Sequence, residues 1–375
     1  MLTEITIRNF KNFENVQFEL AERVVLVGPN NSGKTSALQA LALWDIGLKR
    51  WIEKRGTEPV PKTRPGVTIN RRDLIAVPIP SANLLWRNLH VRAKGTNKTT
   101  QNVRIDIIVK GVNQGSVWEC GFEFDYANEE SFYCRPLRRD DSSQPERMDV
   151  PQAATHIKVA YLQPMSGLSA TETRLDSGAI NVRLGEGRTA EVLRNLCYQL
   201  REKKDGSNWL QLVKRVKEFF GVELLEPVYI TERGEISLAY RQNGIQLDIS
   251  SSGRGLQQTL LLMAHLMLNR GTVLLLDEPD AHLEILRQRQ IYQLLTETAS
   301  SYGNQIVAAS HSEIILNEAA DRDIVIAFVG KPHRIDDRGS QVLKSLKEIG
   351  YDQYYQAETN GWVTLYGRVD RFSDS

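Results

Sequence analysis

The stretch Val24-Val-Leu-Val-Gly28-Pro-Asn30-Asn31-Ser32-Gly33-Lys34-Thr35 decides how the chain is read. Four apolar residues lead into a glycine-rich turn, and Ser36-Ala-Leu-Gln-Ala-Leu-Ala-Leu43 then has the character of a helix. Gly28 and Gly33-Lys34-Thr35 match the G-x-x-x-x-G-K-[ST] spacing of a phosphate-binding loop. The spacing has a physical basis: the first N–H groups of a helix have no intrahelical acceptor, and the helix dipole makes that end partly positive. Gly28, Asn30, Asn31, Ser32, Gly33, Lys34, Thr35 and Ser36 are therefore the expected cradle for a nucleoside triphosphate. Lys34 is expected to reach the β- and γ-phosphates, and the Thr35 hydroxyl to ligate Mg²⁺.

A second apolar run, Thr272-Val-Leu-Leu-Leu-Asp277-Glu278-Pro-Asp280, ends in adjacent carboxylates. Such an ending is common by itself. Downstream of a phosphate loop it predicts that Asp277 holds Mg²⁺ and that Glu278 polarises the attacking water. A third run, Ile306-Val-Ala-Ala-Ser-His311, delivers a histidine to the same end of the expected sheet, where it would sense the γ-phosphate. Between these runs, Ser250-Ser-Ser252-Gly253-Arg-Gly255 opens an apolar helix, and its free N–H donors suit a second phosphate. The neighbouring His282 reads as structural or dimer-facing.

Composition narrows the partners. The 375 residues carry 47 Lys and Arg against 46 Asp and Glu, a net charge of +1, so any polyanion-binding surface must be local. Residues 50–104 hold twelve Lys and Arg against three acids, a local net of +9, with Trp51 and Trp86 among them. Basic side chains with aromatics available to stack suit nucleic acid, and this segment is the expected DNA contact. Three widely spaced cysteines, Cys120, Cys134 and Cys197, predict free thiols in a reducing compartment. No apolar run reaches the roughly 18 residues of a membrane span, so a cytoplasmic protein is expected.

Patterning supplies the remaining elements. Ile5, Ile7 and Phe10, then Phe13, Val16 and Phe18, predict two strands around Asn9–Asn12, and a helix should run from about Ser32 to Arg55. Alternation over Val103–Phe124 predicts an antiparallel pair turning at Gly111–Gly115, and 157–162 a short strand. Residues 138–152 read as a polar connector. Residues 189–221 have the helical period with basic outer faces, and 222–249 read as hairpins turning at Arg233-Gly234 and Asn243-Gly244.

The order of these motifs resembles the ABC-type ATPases of the SMC/RecF group. Ile5-x-Ile-x-Asn-Phe10-Lys-Asn-Phe13, Gly-Pro-Asn-Asn-Ser-Gly-Lys-Thr and Asp-Glu-Pro-Asp-Ala-His-Leu283 look most like the OLD (overcoming-lysogenisation-defect) ATPases, including Gabija-type defence proteins. Tyr161-Leu-Gln-Pro-Met-Ser-Gly-Leu168 and Leu193-Arg-Asn-Leu196 are similar to that branch as well. The resemblance implies an α/β fold: a P-loop NTPase head of the ABC/SMC type with an antiparallel β lobe (100–165 and 222–248) and a helical insertion. The head is expected over 1–330, as an N-terminal lobe 1–188 with the basic insertion, a helical segment 189–221 and a C-terminal lobe 222–330.

The resemblance further implies ATP and Mg²⁺ as ligands, and two heads that sandwich ATP as a homodimer or higher oligomer. Ser252 and Gly253 would then face the γ-phosphate of the opposing head. ATP hydrolysis would be coupled to DNA binding or nuclease control, in phage defence or DNA repair, with a nuclease or helicase as a possible partner class. Arg254 after Ser252-Gly253 departs from Leu-Ser-Gly-Gly-Gln, and no heptad stretch separates the lobes as in a true SMC protein. The family's Q-loop residue is sought around Asn70–Asp73.

OLD proteins usually continue into a Toprim nuclease. Here 331–360 reads as a connector, and Gly361-Trp-Val-Thr-Leu-Tyr366 starts like a Toprim strand before the chain departs. One permitted codon set for 367–374, shifted by one base, encodes Glu-Gly-Ser-Thr-Asp, the expected Toprim start. Residues 361–375 are thus read as a frame-shifted remnant, and nuclease activity is not expected of this chain. The rivals are a regulatory ATPase read by a protein partner, an inactive remnant, and a transporter subunit, the last disfavoured by the basic segment and the altered signature.

Overall fold

The computed structural model describes residues 1–58, 65–94, 100–140, 145–165, 167–203, 206–320 and 322–335. The expected Toprim remnant and most of the connector lie outside the described residues.

In chain order, β1 (Leu2–Phe10) and β2 (Phe13–Glu19) precede β3 (Arg23–Val27) and the long helix α1 (Lys34–Arg55). β4 (Val67–Asn70), β5 (Arg92–Lys94), β6 (Thr100–Asn102), β7 (Arg104–Asn113), β8 (Ser116–Asn128) and β9 (Ser131–Pro136) follow. After α2 (Gln152–Thr155) come β10 (Val159–Leu162), α3 (Ser177–Gly185), α4 (Leu193–Glu202) and α5 (Ser207–Phe220). Next are β11 (Glu223–Leu224), β12 (Val228–Ile230), β13 (Glu235–Ser237), β14 (Ala239–Gln242), β15 (Ile245–Asp248) and α6 (Arg254–Leu268). The described chain ends with β16 (Val273–Asp277), α7 (Ile285–Tyr302), β17 (Gln305–Ser310), α8 (Glu313–Ala319), β18 (Ile324–Ala327) and β19 (His333–Arg334).

Two six-stranded sheets dominate. One runs β10-β16-β17-β3-β18-β19 and is parallel except for its edge strand β19. The other, β2-β1-β7-β8-β9-β4, is antiparallel throughout. Every residue of β16 and β17 is buried, as expected of parallel strands covered on both faces. Helix α1 lies between the two sheets, touching β10, β16 and β17 on one side and β4, β7, β8 and β9 on the other. That placement explains why Ala40, Leu41, Ala42, Leu43 and Trp44, consecutive positions that together go right round the helix, are all buried. Each leucine there contributes about 1.5–3 kcal/mol relative to exposure. On the far side of the parallel sheet, α4, α5, α6 and α7 close a second core around Leu196, Leu260, Leu266 and Leu295.

Several expectations need correction. Residues 100–165 and 222–248 do not form one lobe. β10 joins the parallel sheet beside β16, and 222–248 fold into two small sheets, β11-β14-β15 and β12-β13. Alternation reports that one face of a strand is covered, not which sheet the strand joins. The β7–β8 turn sits at Gln114-Gly115, and Gly111 is still inside β7. The polar stretch 138–152 is anchored: Arg147, Met148 and Val150 are buried, and Arg147 pairs with the fully buried Glu123 at 3.0 Å.

The two tryptophans of the basic segment are not stacking platforms. Trp51 and Trp86 are each 1% exposed. Trp86 donates its Nε1–H to the Val103 carbonyl and packs edge-on against Tyr126 and Phe132. Several charges of the segment are also spent within the molecule, Arg50 on Asp73, Arg71 on Glu130 and Arg87 on Glu14. All three cysteines are free and buried.

Candidate functional site

The candidate site forms where β3, β16 and β17 end side by side. Register places Asp277 opposite Ala309 and Ser310 opposite Val27, so the chain leaves the sheet at three adjacent points. Carboxyl ends of parallel strands are where open α/β sheets bind ligands. From β3 comes the loop 28–33, from β16 the Asp277-Glu278 pair, and from β17 Ser310-His311.

Asn30 through Ser36 line a cleft of about 640 Å³ together with Lys11, Asn12 and Glu278. Gly33 has φ 108°, and a Cβ there would sit 2.7 Å from Asn12 Nδ2 and 2.8 Å from the Phe13 ring. At Gly28 a Cβ would meet the Phe328 carbonyl oxygen at 2.9 Å. The loop backbone therefore packs against Asn12, Phe13 and Phe328 too closely to leave room for a side chain at either glycine. Lys34 is buried and donates from Nζ to the carbonyls of Gly28 (2.7 Å) and Pro29 (2.8 Å). Burial lowers its ammonium pKa, while Glu278, Asp277 and Asp280 oppose that shift. The buried Ser32 hydroxyl has no hydrogen-bond partner among the described residues.

Asp277 is 8% exposed and accepts two hydroxyl hydrogen bonds, from Thr35 Oγ1 at 3.2 Å and from the buried Tyr161 at 3.0 Å. Burial raises its carboxyl pKa, and these two donors offset only part of that rise. Glu278 adopts φ 47°, in the left-handed region that a non-glycine residue rarely visits, and its N–H is fixed by the Ala309 carbonyl. That bend turns the carboxylate into the cleft, and His311 Nδ1 lies 3.5 Å from Glu278 Oε1. Asp280, also buried, has its carboxyl pKa raised by burial.

An orphaned hydroxyl, a cleft lined by the glycine loop and Lys34, and a buried carboxylate beside the Thr35 hydroxyl together fit a nucleotide phosphate with a divalent metal. Among the described residues no cluster of three His, Cys, Asp or Glu side chains could hold a metal alone. Mg²⁺ is characteristically bound by one or two protein groups plus substrate phosphates.

Ser252 and Gly253 stand apart from this cleft. They line a separate hollow of about 380 Å³ with Arg254, Tyr240, Leu283 and Arg287. Ser252 Oγ donates to the Ile249 carbonyl at 2.7 Å. His282 has φ 65°, and its Nε2 is 3.3 Å from the Met165 carbonyl oxygen. Asn70–Asp73, the region proposed for a Q-loop, is tied instead to the β8–β9 turn through Arg71 and Glu130.

Sequence reasoning missed Tyr161 as a partner of Asp277. The signal was present in the short run ending at Leu162, but nothing local said that it would pair with β16.

No helix among the described residues is long and apolar enough to cross a membrane. Residues 23–317 match the family described as "AAA domain, putative AbiEii toxin, Type IV TA system", and residues 1–44 match "AAA ATPase domain". No curated protein matches the chain. Among solved structures, it is similar to the SMC head domain from Thermotoga maritima at 15% identity and TM-score 0.46, covering 90% of this chain and 99% of that one. It is also similar to the SmcHead bound to the C-winged helix domain of ScpA, at 11% identity and TM-score 0.49, with coverages of 92% and 99%. A third is the Smc head with an extended coiled coil, bound to the C-terminal domain of ScpA and derived from Pyrococcus furiosus. It shares 12% identity at TM-score 0.48, with coverages of 93% and 99%. The family match spans well over half of the chain and includes the phosphate loop, the paired carboxylates and His311, so the chain belongs to this family of AAA ATPase domains.

Proposed function

We propose that this chain is an ATP-hydrolysing head of the OLD/RecF type that closes in pairs around ATP. One observation carries the reading: Lys34, Thr35, Asp277, Glu278 and His311, drawn from three distant parts of the sequence, converge at one end of one sheet. Lys34 would hold the β- and γ-phosphates, and the loop N–H groups would orient them. Thr35 and Asp277 would hold Mg²⁺, which neutralises phosphate charge when bound. The Tyr161 hydroxyl holds the Asp277 carboxylate in place. Glu278 would orient the attacking water and accept its proton as the terminal phosphate–oxygen bond breaks. His311, next to Glu278 and the loop, would register whether a γ-phosphate is present.

The separation of Ser252-Gly253 from the cleft supports the paired arrangement, since a second head would have to supply them. The decisive experiment is Glu278→Gln. It should bind ATP as the wild type does and lose about 10²-fold or more in kcat, the usual contribution of a general base. Near wild-type turnover would refute the assignment.

The output of the cycle is read as DNA binding or nuclease control in defence or repair. DNA-stimulated ATPase activity, lost when Arg71, Arg72 and Arg87 are neutralised, would support the DNA-facing version. A second reading, a switch recognised by a protein partner, is favoured by the burial of Trp51 and Trp86 and by the internal pairing of Arg50, Arg71 and Arg87. DNA that leaves turnover unchanged would favour it.

A further inference from the structure

Outside the phosphate cleft the molecule buries a second polar network, centred on Arg194 and Glu172, each with a side chain 1% exposed. Glu172 accepts the N–H groups of Arg194 (2.9 Å) and Asn195 (2.6 Å) at the start of α4, and also Asn195 Nδ2 (2.7 Å). Arg194 spreads its guanidinium over three acceptors: the carbonyls of Ser169 (2.9 Å) and Ala170 (3.2 Å), and Asp248 Oδ1 (2.9 Å). Asp248 in turn accepts from the N–H and hydroxyl of Ser250, starting the turn that ends at Ser252-Gly253. Gln257 closes that turn by donating to the Ile249 and Ser252 carbonyls.

The segment gripped by Arg194 is the continuation of β10. Its strand end carries Tyr161, bound to Asp277. Its next residues accept or donate through Met165 to Gln258 of α6 and to His282. One segment, 161–172, thus touches the metal-side carboxylate at one end and, through Arg194 and Asp248, the Ser252-Gly253 turn at the other.

We infer that Arg194 is a positioning residue, which through Asp248 sets where Ser252-Gly253 stands relative to the Asp277 end of the same head. The inference rests on the paired-head reading above, in which each head presents both features at once to its partner. Its rigidity has a plain cause. A planar guanidinium with three fixed acceptors in a dry environment has one low-energy orientation, unlike a surface pair.

Removing Arg194 itself would leave Glu172 buried without its cation and endanger the fold. The test therefore uses Asp248, which is half-exposed. Asp248→Ala should retain ATP affinity within about twofold, measured with a fluorescent ATP analogue, yet lose tenfold or more in kcat. Asp248→Asn, which keeps an acceptor for Arg194 and Ser250, should recover most of the turnover. Ser252→Arg serves as the reference for the paired site. If Ser252→Arg abolishes turnover while Asp248→Ala keeps wild-type kcat, the positioning role is overturned and the paired site stands. If Ser252→Arg turns over like the wild type, the paired site falls, and this inference with it. Equal losses of affinity and kcat in Asp248→Ala, with no recovery in Asp248→Asn, would mark a structural role and also overturn it.

Discussion

Replacing Gly33 with alanine tests the phosphate cradle directly. The position has φ 108°, where an L side chain carries backbone strain of about 1–2 kcal/mol. The added methyl would approach Asn12 Nδ2 at 2.7 Å and two Phe13 ring atoms at 2.8 Å. Asn12 is exposed and its amide can swing aside, but the Phe13 ring cannot. Phe13 is 4% exposed and packs against Phe328 at a ring separation of 6.1 Å. Forcing a group into a filled core costs about 1–3 kcal/mol more. The summed loss is about 2–5 kcal/mol, a large part of the stability of an ordinary domain. Urea unfolding followed by tryptophan fluorescence measures it, since Trp44, Trp51 and Trp86 are all buried. The same titration with ATP gives a second reading. Saturating ligand at 100 times Kd adds about 2.7 kcal/mol to the wild type and should add nothing to Gly33→Ala. The reasoning is refuted if the variant unfolds within about 0.5 kcal/mol of the wild type and still gains stability from ATP.

Three further outcomes follow from the geometry. Tyr161→Phe removes a buried hydroxyl from a carboxylate and should cost about 1.5–3 kcal/mol in urea unfolding, with little change in secondary structure by circular dichroism. His265 is fully buried in α6, and burial lowers its pKa from 6.5 to about 4. The unfolded chain takes up that proton first, so stability falls as pH drops from 6.5 towards 4, by about 3 kcal/mol. His265→Gln should remove that part of the pH dependence, and unfolding curves parallel to wild type across this range would refute it. Asp45 behaves oppositely, because burial raises its pKa from 3.8 to about 6 in spite of Lys49. Its folded form binds the proton first, so stability falls as pH rises from about 4 to 6. Asp45→Asn should gain stability above pH 6, by up to about 3 kcal/mol, and none below pH 4.

Much of the site could be read locally because each piece is a short motif with its own chemistry. The loop 28–35, the Asp277-Glu278 pair and His311 each follow a buried apolar run, and parallel strands must end at the same edge of their sheet. What joins them is set over distances that periodicity does not encode. Tyr161 reaches Asp277 across 116 positions of sequence, and Gln305 holds β1 by accepting from Leu2 N–H, 303 positions away. Similarly, Trp51 and Trp86 lie among basic residues in the sequence but inside the core in three dimensions. A charged neighbourhood in sequence says nothing of the face on which a tryptophan ends.

The sequence by itself determined that strand, phosphate loop and helix follow one another, that two carboxylates and a histidine terminate buried strands, and that the thiols are unpaired. Those features depend on backbone donors, spacing and local periodicity, which act within a few residues. Only the tertiary structure decided that α1 lies between two sheets, that β10 joins β16, and that Arg194 ties 169–172 to the Ser252 turn. Burying apolar surface and pairing buried charge are satisfied only when distant segments meet, and many pairings share one local pattern until packing selects among them.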